Sequence, residues 1–344
     1  MLFDSTVEEP LELLSEVISK AFLHGPSSRY ESVFGRGNAY LIAAIARRYG
    51  VQESEVLPTT GVIVGLRQVL ATLVQAGDRV LVETPGFDVL AGMVENAGAE
   101  VAPLHRRFPD FDLTPEALDA AICDRTRMVV ISNLHNPSGI TLSEDRIAEL
   151  EAVARARNVW LVVDEVYADF ARPVIVPLAQ KSCLIRLNSL SKVFGLHGLR
   201  CGWIIAQDDV IERIADANAT REFGASKLAH AVSAVVLEEP QSFEEHWRAV
   251  VARYRPVLDY HLAAMVKDGV LEGYLPEYGC MAFPKVVGHT DTVALAETLW
   301  REHGLISAPG EMFGLAGHMR LGMGVSIEAM DDGLARLHKA LKSA

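Results

Sequence analysis

Five short apolar runs in the middle of the chain constrain the fold more than any other feature of the sequence. They cover residues 79–83, 128–132, 159–164, 183–187 and 201–206, and helical patterns separate most of them. Strands that are apolar along their whole length are buried on both faces, as in parallel sheets covered by helices. The pattern therefore predicts an α/β domain with a mostly parallel sheet sandwiched between helices.

Both ends of the chain differ from this middle part. Apolar residues at helical spacing predict helices over 8–22 and 244–265, and short strand-like pieces alternate with helices beyond the second of these. A chain of 344 residues is also long enough for two lobes. We predict a large domain over 45–240 and a smaller α+β domain over 241–344, which the N-terminal segment 1–44 joins.

Composition and charge argue against several classes of protein. The formal net charge of −13 and the lack of clustered basic residues disfavour a nucleic-acid partner. No apolar stretch reaches the ~18 residues of a membrane span and no signal-peptide pattern opens the chain, so we expect a cytoplasmic protein with no membrane partner. The cysteines (Cys123, Cys183, Cys201 and Cys280) lack metal-ligand spacing, and we expect neither disulfides nor a bound metal.

A lysine next to serine residues follows the fourth apolar run. Lys192 comes directly after Ser191, and Arg200 lies eight positions further on. An amine at a strand end can bond an aldehyde as a Schiff base, and serine and arginine side chains beside it can bind a phosphate. This segment resembles the pyridoxal-phosphate lysine signature of the class I and II aminotransferases. The matching positions are Ser189, Ser191, Lys192, Gly198, Arg200 and Gly202.

The resemblance implies a fold-type I transferase that uses pyridoxal 5′-phosphate. Such an enzyme moves an amino group between an amino acid and a 2-keto acid, and the implied role of Lys192 is to bond the cofactor and then to move the substrate proton. The residues of the signature are nearest to the histidinol-phosphate aminotransferase branch. Decarboxylases, β-lyases and cyclising synthases share the same fold and the same lysine, so the motifs leave these activities open as alternatives.

The ends of the predicted strands carry the other candidate site residues. Asp164 closes the third apolar run, and ligands of open parallel sheets bind beyond the carboxyl ends of the strands. A carboxylate there can pair with a protonated pyridine nitrogen. In the related family, an asparagine and a tyrosine at the positions of Asn136 and Tyr167 hydrogen-bond the phenolic oxygen of the cofactor, and the resemblance implies that Asn136 also binds the substrate.

The helix that begins near Gly61 is the candidate phosphate site. Free backbone N–H groups at a helix start bind anions. Val62 and Ile63 stand where related enzymes often have a hydroxyl or carboxylate residue, so their contribution would come from the backbone. The side chains of Ser189, Ser191 and Arg200 would add donors.

Two further side chains complete the implied site within one chain. Phe87, in Pro85-Gly86-Phe87, matches the aromatic residue that stacks on the cofactor ring in the family. Arg320 matches the arginine that binds the substrate α-carboxylate, for which a guanidinium fork is well shaped.

A tyrosine ahead of the large domain bears on oligomeric state. Tyr30 matches a tyrosine that reaches the cofactor phosphate of the neighbouring subunit, which implies a homodimer with shared active sites. Tyr40 is the alternative for this role. A regulatory module that only binds the cofactor is disfavoured, because such a protein would carry a basic DNA-binding segment and the net charge here is −13.

Overall fold

A mixed seven-stranded sheet forms the centre of the protein. The computed structural model describes residues 2–22, 28–33, 35–171, 178–179, 181–219 and 225–343. The strands lie in the order β1-β7-β6-β5-β4-β2-β3, and only β7 runs antiparallel to its neighbours. Their bounds are β1 Val56–Thr59, β2 Arg79–Thr84, β3 Glu100–His105, β4 Thr126–Ser132, β5 Trp160–Asp164, β6 Leu184–Ser189 and β7 Gly202–Ile205.

Helices cover both faces of this sheet, which explains why its strands are apolar throughout. On one face lie α3 (Val62–Leu73), α4 (Asp88–Asn96) and α7 (Asp208–Asn218). On the other face lie α5 (Pro115–Ala121) and α6 (Glu144–Ala156). Side chains alternate between the two layers along each strand, as the pleat requires. The predicted mostly parallel α/β sheet is therefore confirmed, and the five apolar runs correspond to β2, β4, β5, β6 and β7.

The C-terminal part contains long helices and small sheets. The helices are α9 (Gln241–Lys267), α10 (Thr292–His303) and α11 (Ile327–Ser343). A three-stranded sheet has the order β11-β12-β9, and β8 pairs with β10. The strand bounds are β8 Leu271–Glu272, β9 Met281–Ala282, β10 Lys285–Val286, β11 Ala308–Pro309 and β12 Met319–Gly322.

The N-terminal segment lies against both parts of the structure. Its first residues run beside β12, where Gly322 N donates to Leu2 O at 3.1 Å and Gly324 N donates to Asp4 O at 2.9 Å. The helices α1 (Leu11–Phe22) and α2 (Ala39–Tyr49) follow, and both pack against α8 (Lys227–Glu238).

One apolar cluster runs from α2 and α8 into α9 and α11. The proposed domain limits at residues 44 and 240 thus fall within a continuous core, and they stay a prediction. Within the described ranges, no helix combines the length and the apolar character that crossing a bilayer requires.

Candidate active site

A cavity of about 310 Å³ opens at the carboxyl edge of the central sheet. Its walls come from residues at or after the ends of β2, β4, β5 and β6. The start of α3 and strand β12 of the C-terminal part complete them. The lining includes Val62, Ile63, Phe87, Asn136, Asp164, Tyr167, Ser189, Ser191, Lys192, Arg200 and Arg320. Almost every residue proposed from the sequence therefore lies at one place.

Two proposed site residues are not part of the cavity lining: Gly61, which directly precedes the lining residue Val62, and Tyr30. Its ring packs edge-on against Phe22, with 5.8 Å between the ring centroids, and Lys227 Nζ lies 4.3 Å from its centroid. Neither Tyr30 nor the alternative Tyr40 lines the cavity. Any contact of Tyr30 with the cofactor would therefore have to come from another copy of the chain.

Lys192 is held by its backbone beneath the N-terminal segment. Its carbonyl oxygen accepts hydrogen bonds from Val7 N at 3.2 Å and Thr6 Oγ1 at 3.3 Å. Its Nζ lies 5.9 Å from the centroid of the Tyr167 ring. The backbone is thus fixed while the amine extends into the cavity.

Asp164 is a buried carboxylate with few hydrogen bonds. Its Oδ1 accepts from Val166 N at 3.1 Å, and no described residue bonds its Oδ2. Burial raises the pKa of this carboxyl from 3.8 to about 7; Val166 N–H and Lys192 oppose the rise, and the charge of Glu83 adds to it. A buried carboxylate with a free oxygen and a raised pKa calls for a cationic partner.

The Tyr167 hydroxyl contacts a residue that sequence reasoning missed. It donates to Ser5 O at 3.0 Å and lies 2.8 Å from Ser5 Oγ. Ser5 also lines the cavity, together with Phe3 and Asp4. No local motif marks these residues, because they reach the site only through contacts with distant parts of the chain.

Arg320 and Asn136 are joined across the cavity. Arg320 Nη1 donates to Asn136 Oδ1 at 2.8 Å, and Nη2 donates to Phe3 O at 2.9 Å. The ring centroid of Phe313 lies 4.8 Å from the Arg320 Cζ. Arg320 Nε is buried without a hydrogen-bond partner among the described residues. Two of the five N–H groups of the guanidinium are thus used by these contacts, and Nε–H is among those without a partner.

A buried network of hydrogen bonds and one ion pair supports the backbone of Asn136. No sequence pattern predicted this network. Ser132 N donates to Glu83 Oε1 at 2.8 Å, and the Ser132 hydroxyl bonds the same oxygen. Ser132 Oγ in turn accepts from Asn136 N at 3.0 Å. Arg106 Nη1 pairs with Glu83 Oε2 at 2.9 Å. Burial raises the pKa of Glu83, and the Arg106 guanidinium opposes this rise.

The start of α3 and Arg200 form a close-fitting anion cradle. Gly61 has a φ of +82°, and a Cβ on it would come within 2.5 Å of Arg200 Nη2. A Cβ on Gly202 would lie 2.8 Å from the Gly61 carbonyl carbon. Only glycines allow this approach. No described residue bonds the Arg200 guanidinium, and Ser189 Oγ accepts from Ser191 N at 3.2 Å, so its own proton is free to be donated.

These groups fit pyridoxal phosphate. An anion cradle, an unpaired buried carboxylate and an amine meet in one cavity at the edge of a mostly parallel sheet, which defines a fold-type I pyridoxal-phosphate enzyme. The chain belongs to the family "Aminotransferase class I and II", whose family model matches residues 8–337. It is therefore an enzyme that transfers amino groups with pyridoxal phosphate as its cofactor.

Known relatives and structures agree with this family. The chain is 32% identical to capreomycidine synthase of Streptomyces vinaceus, over 89% of this chain and 79% of that protein. It is 26% identical to an aspartate aminotransferase of Streptomyces avermitilis, over 88% of this chain and 80% of that protein. A double mutant of Thermus thermophilus aspartate aminotransferase has the same fold, with a TM-score of 0.87, 22% identity and coverage of 98% and 91%.

Proposed function

We propose that Lys192 carries the cofactor and moves the proton during amino transfer from an amino acid to a 2-keto acid. The observation that supports this most directly is the position of Lys192 in the same cavity as Asp164 and Arg320. Asp164 would hold the pyridine nitrogen, Phe87 would pack on the ring, and Asn136 with Tyr167 would donate to its phenolic oxygen. Arg200, Ser189, Ser191 and the backbone of Gly61, Val62 and Ile63 would hold the phosphate.

The residues of the chain divide the chemistry between them. When bound, pyridoxal phosphate supplies an electron sink for the bond that breaks at the substrate Cα. Arg320 binds the α-carboxylate and so orients the Cα–H bond toward the lysine. Once the substrate amine has displaced it, the free Lys192 Nζ would accept the proton that leaves Cα and would then give the proton back within the site. Tyr167 would turn its single hydroxyl proton from Ser5 O to the phenolic oxygen when the cofactor binds, and it could still accept a hydrogen bond from Ser5 Oγ.

We further propose a cytoplasmic homodimer with shared sites. The position of Tyr30 outside the cavity of its own chain is compatible with a contact across a dimer interface. Such a contact would complete the phosphate cradle around Arg200. The cytoplasm is where free amino acids and keto acids are available as substrates.

A second candidate function is a cyclising synthase. The observation that favours it is the 32% identity to capreomycidine synthase, against 26% to the aspartate aminotransferase. Both activities would use Lys192 and Asp164 in the same way up to loss of the Cα proton. They differ in the fate of the electrons after that step.

The test begins with the lysine. Borohydride treatment of the yellow holoenzyme should fix the cofactor to the peptide that contains Lys192, and Lys192→Ala should bind cofactor but lose turnover. Lys339→Ala, an exposed lysine on α11, is the matched control and should behave like the wild type. Labelling of another lysine would contradict the assignment.

A half-reaction then separates the two activities. The holoenzyme is mixed with single amino acids without a keto acid, and the absorbance of the cofactor is followed. Stoichiometric bleaching with release of keto acid, reversed by a second keto acid, supports amino transfer. A cyclised product with the original spectrum restored would establish the synthase instead.

A further inference from the structure

Two carboxylates of the active-site cavity have no role in the proposed chemistry. Asp4 and Asp88 both line the cavity beside Arg320. Asp4 is half-buried, whereas Asp88 is exposed and opens α4. Among the described residues, no cationic side chain forms an ion pair with either of them. Both residues therefore border the substrate space, and neither carboxylate is paired with a cationic side chain of the described residues.

The backbone of Asp4 is held firmly in this position. Its carbonyl oxygen accepts from Gly324 N at 2.9 Å, and a Cβ on Gly324 would come within 2.3 Å of the Asp4 Cβ. The preceding carbonyl, Phe3 O, accepts from Arg320 Nη2 at 2.9 Å. Asp4 is thus the sequence neighbour of Phe3, and Phe3 is a direct hydrogen-bond partner of Arg320, the arginine that would bind the substrate carboxylate.

A cation on the substrate side chain would offset part of the negative charge that remains in the cavity. The cofactor would engage Lys192, Arg200 and Asp164. Its phosphate would offset the positive charge of Arg200. The substrate α-carboxylate would offset Arg320, whose Nε is buried and without a partner. The negative charges of Asp4 and Asp88 then remain without a cationic partner among the groups named here. A substrate with an acidic side chain would meet two like charges, which disfavours its binding.

The walls of the cavity suit an aliphatic stem. Phe3, Ile63, Met312 and Phe313 line it together with the two carboxylates. Long cationic side chains lay their methylene groups on apolar surface and keep the charged end at a polar one. The combination of apolar walls and terminal carboxylates matches that kind of side chain.

We propose that the amino-acid substrate carries a guanidinium or ammonium group at the far end of its side chain, and that Asp4 and Asp88 bind this group. This inference rests on the proposed function, because it takes Arg320 as the site of the α-carboxylate. It adds the class of side chain that the enzyme selects.

The test compares substrates of equal shape and different charge. L-arginine and L-citrulline are nearly isosteric, and L-glutamate represents the acidic class. In the half-reaction, kcat/KM for L-arginine should exceed that for L-citrulline by about 10-fold or more, with L-glutamate lower still. Asp4→Asn and Asp88→Asn should each reduce the arginine-to-citrulline ratio several-fold. Glu95→Gln removes one negative charge from the exposed face of α4 and should leave the ratio unchanged.

A binding measurement makes the inference independent of turnover. Cofactor-loaded Lys192→Ala should bind L-arginine about 10-fold more tightly than L-citrulline in calorimetry, and Asp4→Asn in that background should remove most of the difference. Asp4→Lys should shift the preference toward L-glutamate. If no amino acid bleaches the holoenzyme but this binding ratio holds, the proposed function fails and the inference stands. Equal binding of arginine and citrulline, or a preference of the unaltered site for glutamate, overturns the inference.

Discussion

Asp164 should destabilise the protein whenever no cofactor is bound. Burial raises the pKa of its carboxyl from 3.8 to about 7. Between these pH values the folded state keeps a proton that the unfolded chain has lost, so the free energy of unfolding falls as the pH rises through this window. At about 1.4 kcal/mol per pH unit, the full cost above the folded pKa is ~4 kcal/mol.

The substitution Asp164→Asn removes this charge and keeps the shape of the side chain. The apo form of the variant should be more stable than apo wild type by up to ~4 kcal/mol near pH ~8.5, but by only ~2 kcal/mol near pH ~5.5. The loaded variant should lose kcat on the order of 100-fold, because an amide cannot hold a pyridine nitrogen in its protonated form. Stability and activity would thus change in opposite directions.

The assay is urea unfolding of the apoproteins at one protein concentration and at both pH values. Asp110→Asn, which removes an exposed carboxylate, is the control and should leave the unfolding free energy nearly unchanged at both. An apo Asp164→Asn protein that is no more stable than wild type at the higher pH would refute the reasoning. So would a gain of equal size at the two pH values.

Two other substitutions test the remaining roles. Arg320→Ala should raise KM for amino acids by the equivalent of about 2–5 kcal/mol and should hardly affect KM for amines that lack a carboxylate. Steady-state kinetics with matched substrate pairs would measure this difference. Equal losses on both kinds of substrate would contradict carboxylate binding by Arg320. Mixing inactive Lys192→Ala chains with Tyr30→Phe chains should restore activity through heterodimers with one intact site, and a protein that sediments as an active monomer would exclude shared sites.

The sheet and much of the site could be predicted because both depend on short stretches of sequence. A strand buried on both faces must be apolar at every position, and this property is visible in 128–132 or 183–187 without any knowledge of the contacts. The carboxyl ends of parallel strands meet at one edge. Polar residues at the ends of such strands or a few positions beyond, such as Asp164 and Asn136, were therefore expected to lie together, and both line the cavity.

The residues that could not be predicted reach the site through long-range contacts. Ser5 bonds Tyr167 across 162 positions of sequence, and Phe3 bonds Arg320 across 317. The carboxylate of Glu83 gave no signal either, because its pairing with Arg106 depends on the neighbouring strands β2 and β3 rather than on any motif. β1 and β3 were also missed, since each is shorter or more polar than the apolar runs that marked the other strands.

The N-terminal segment holds two side chains of the site through its backbone. The backbone oxygens of Phe3 and Ser5 hold Arg320 and Tyr167, so a change in the path of this segment would disturb carboxylate binding and the phenol together. The Asp4 side chain lies between these two contacts and makes neither of them. If Asp4 binds the end of the substrate side chain as proposed, a substitution at position 4 should change which substrates react, while the backbone bonds of Phe3 and Ser5 persist. On the proposed role of Asp4, we expect selectivity to change at this position without loss of amino transfer.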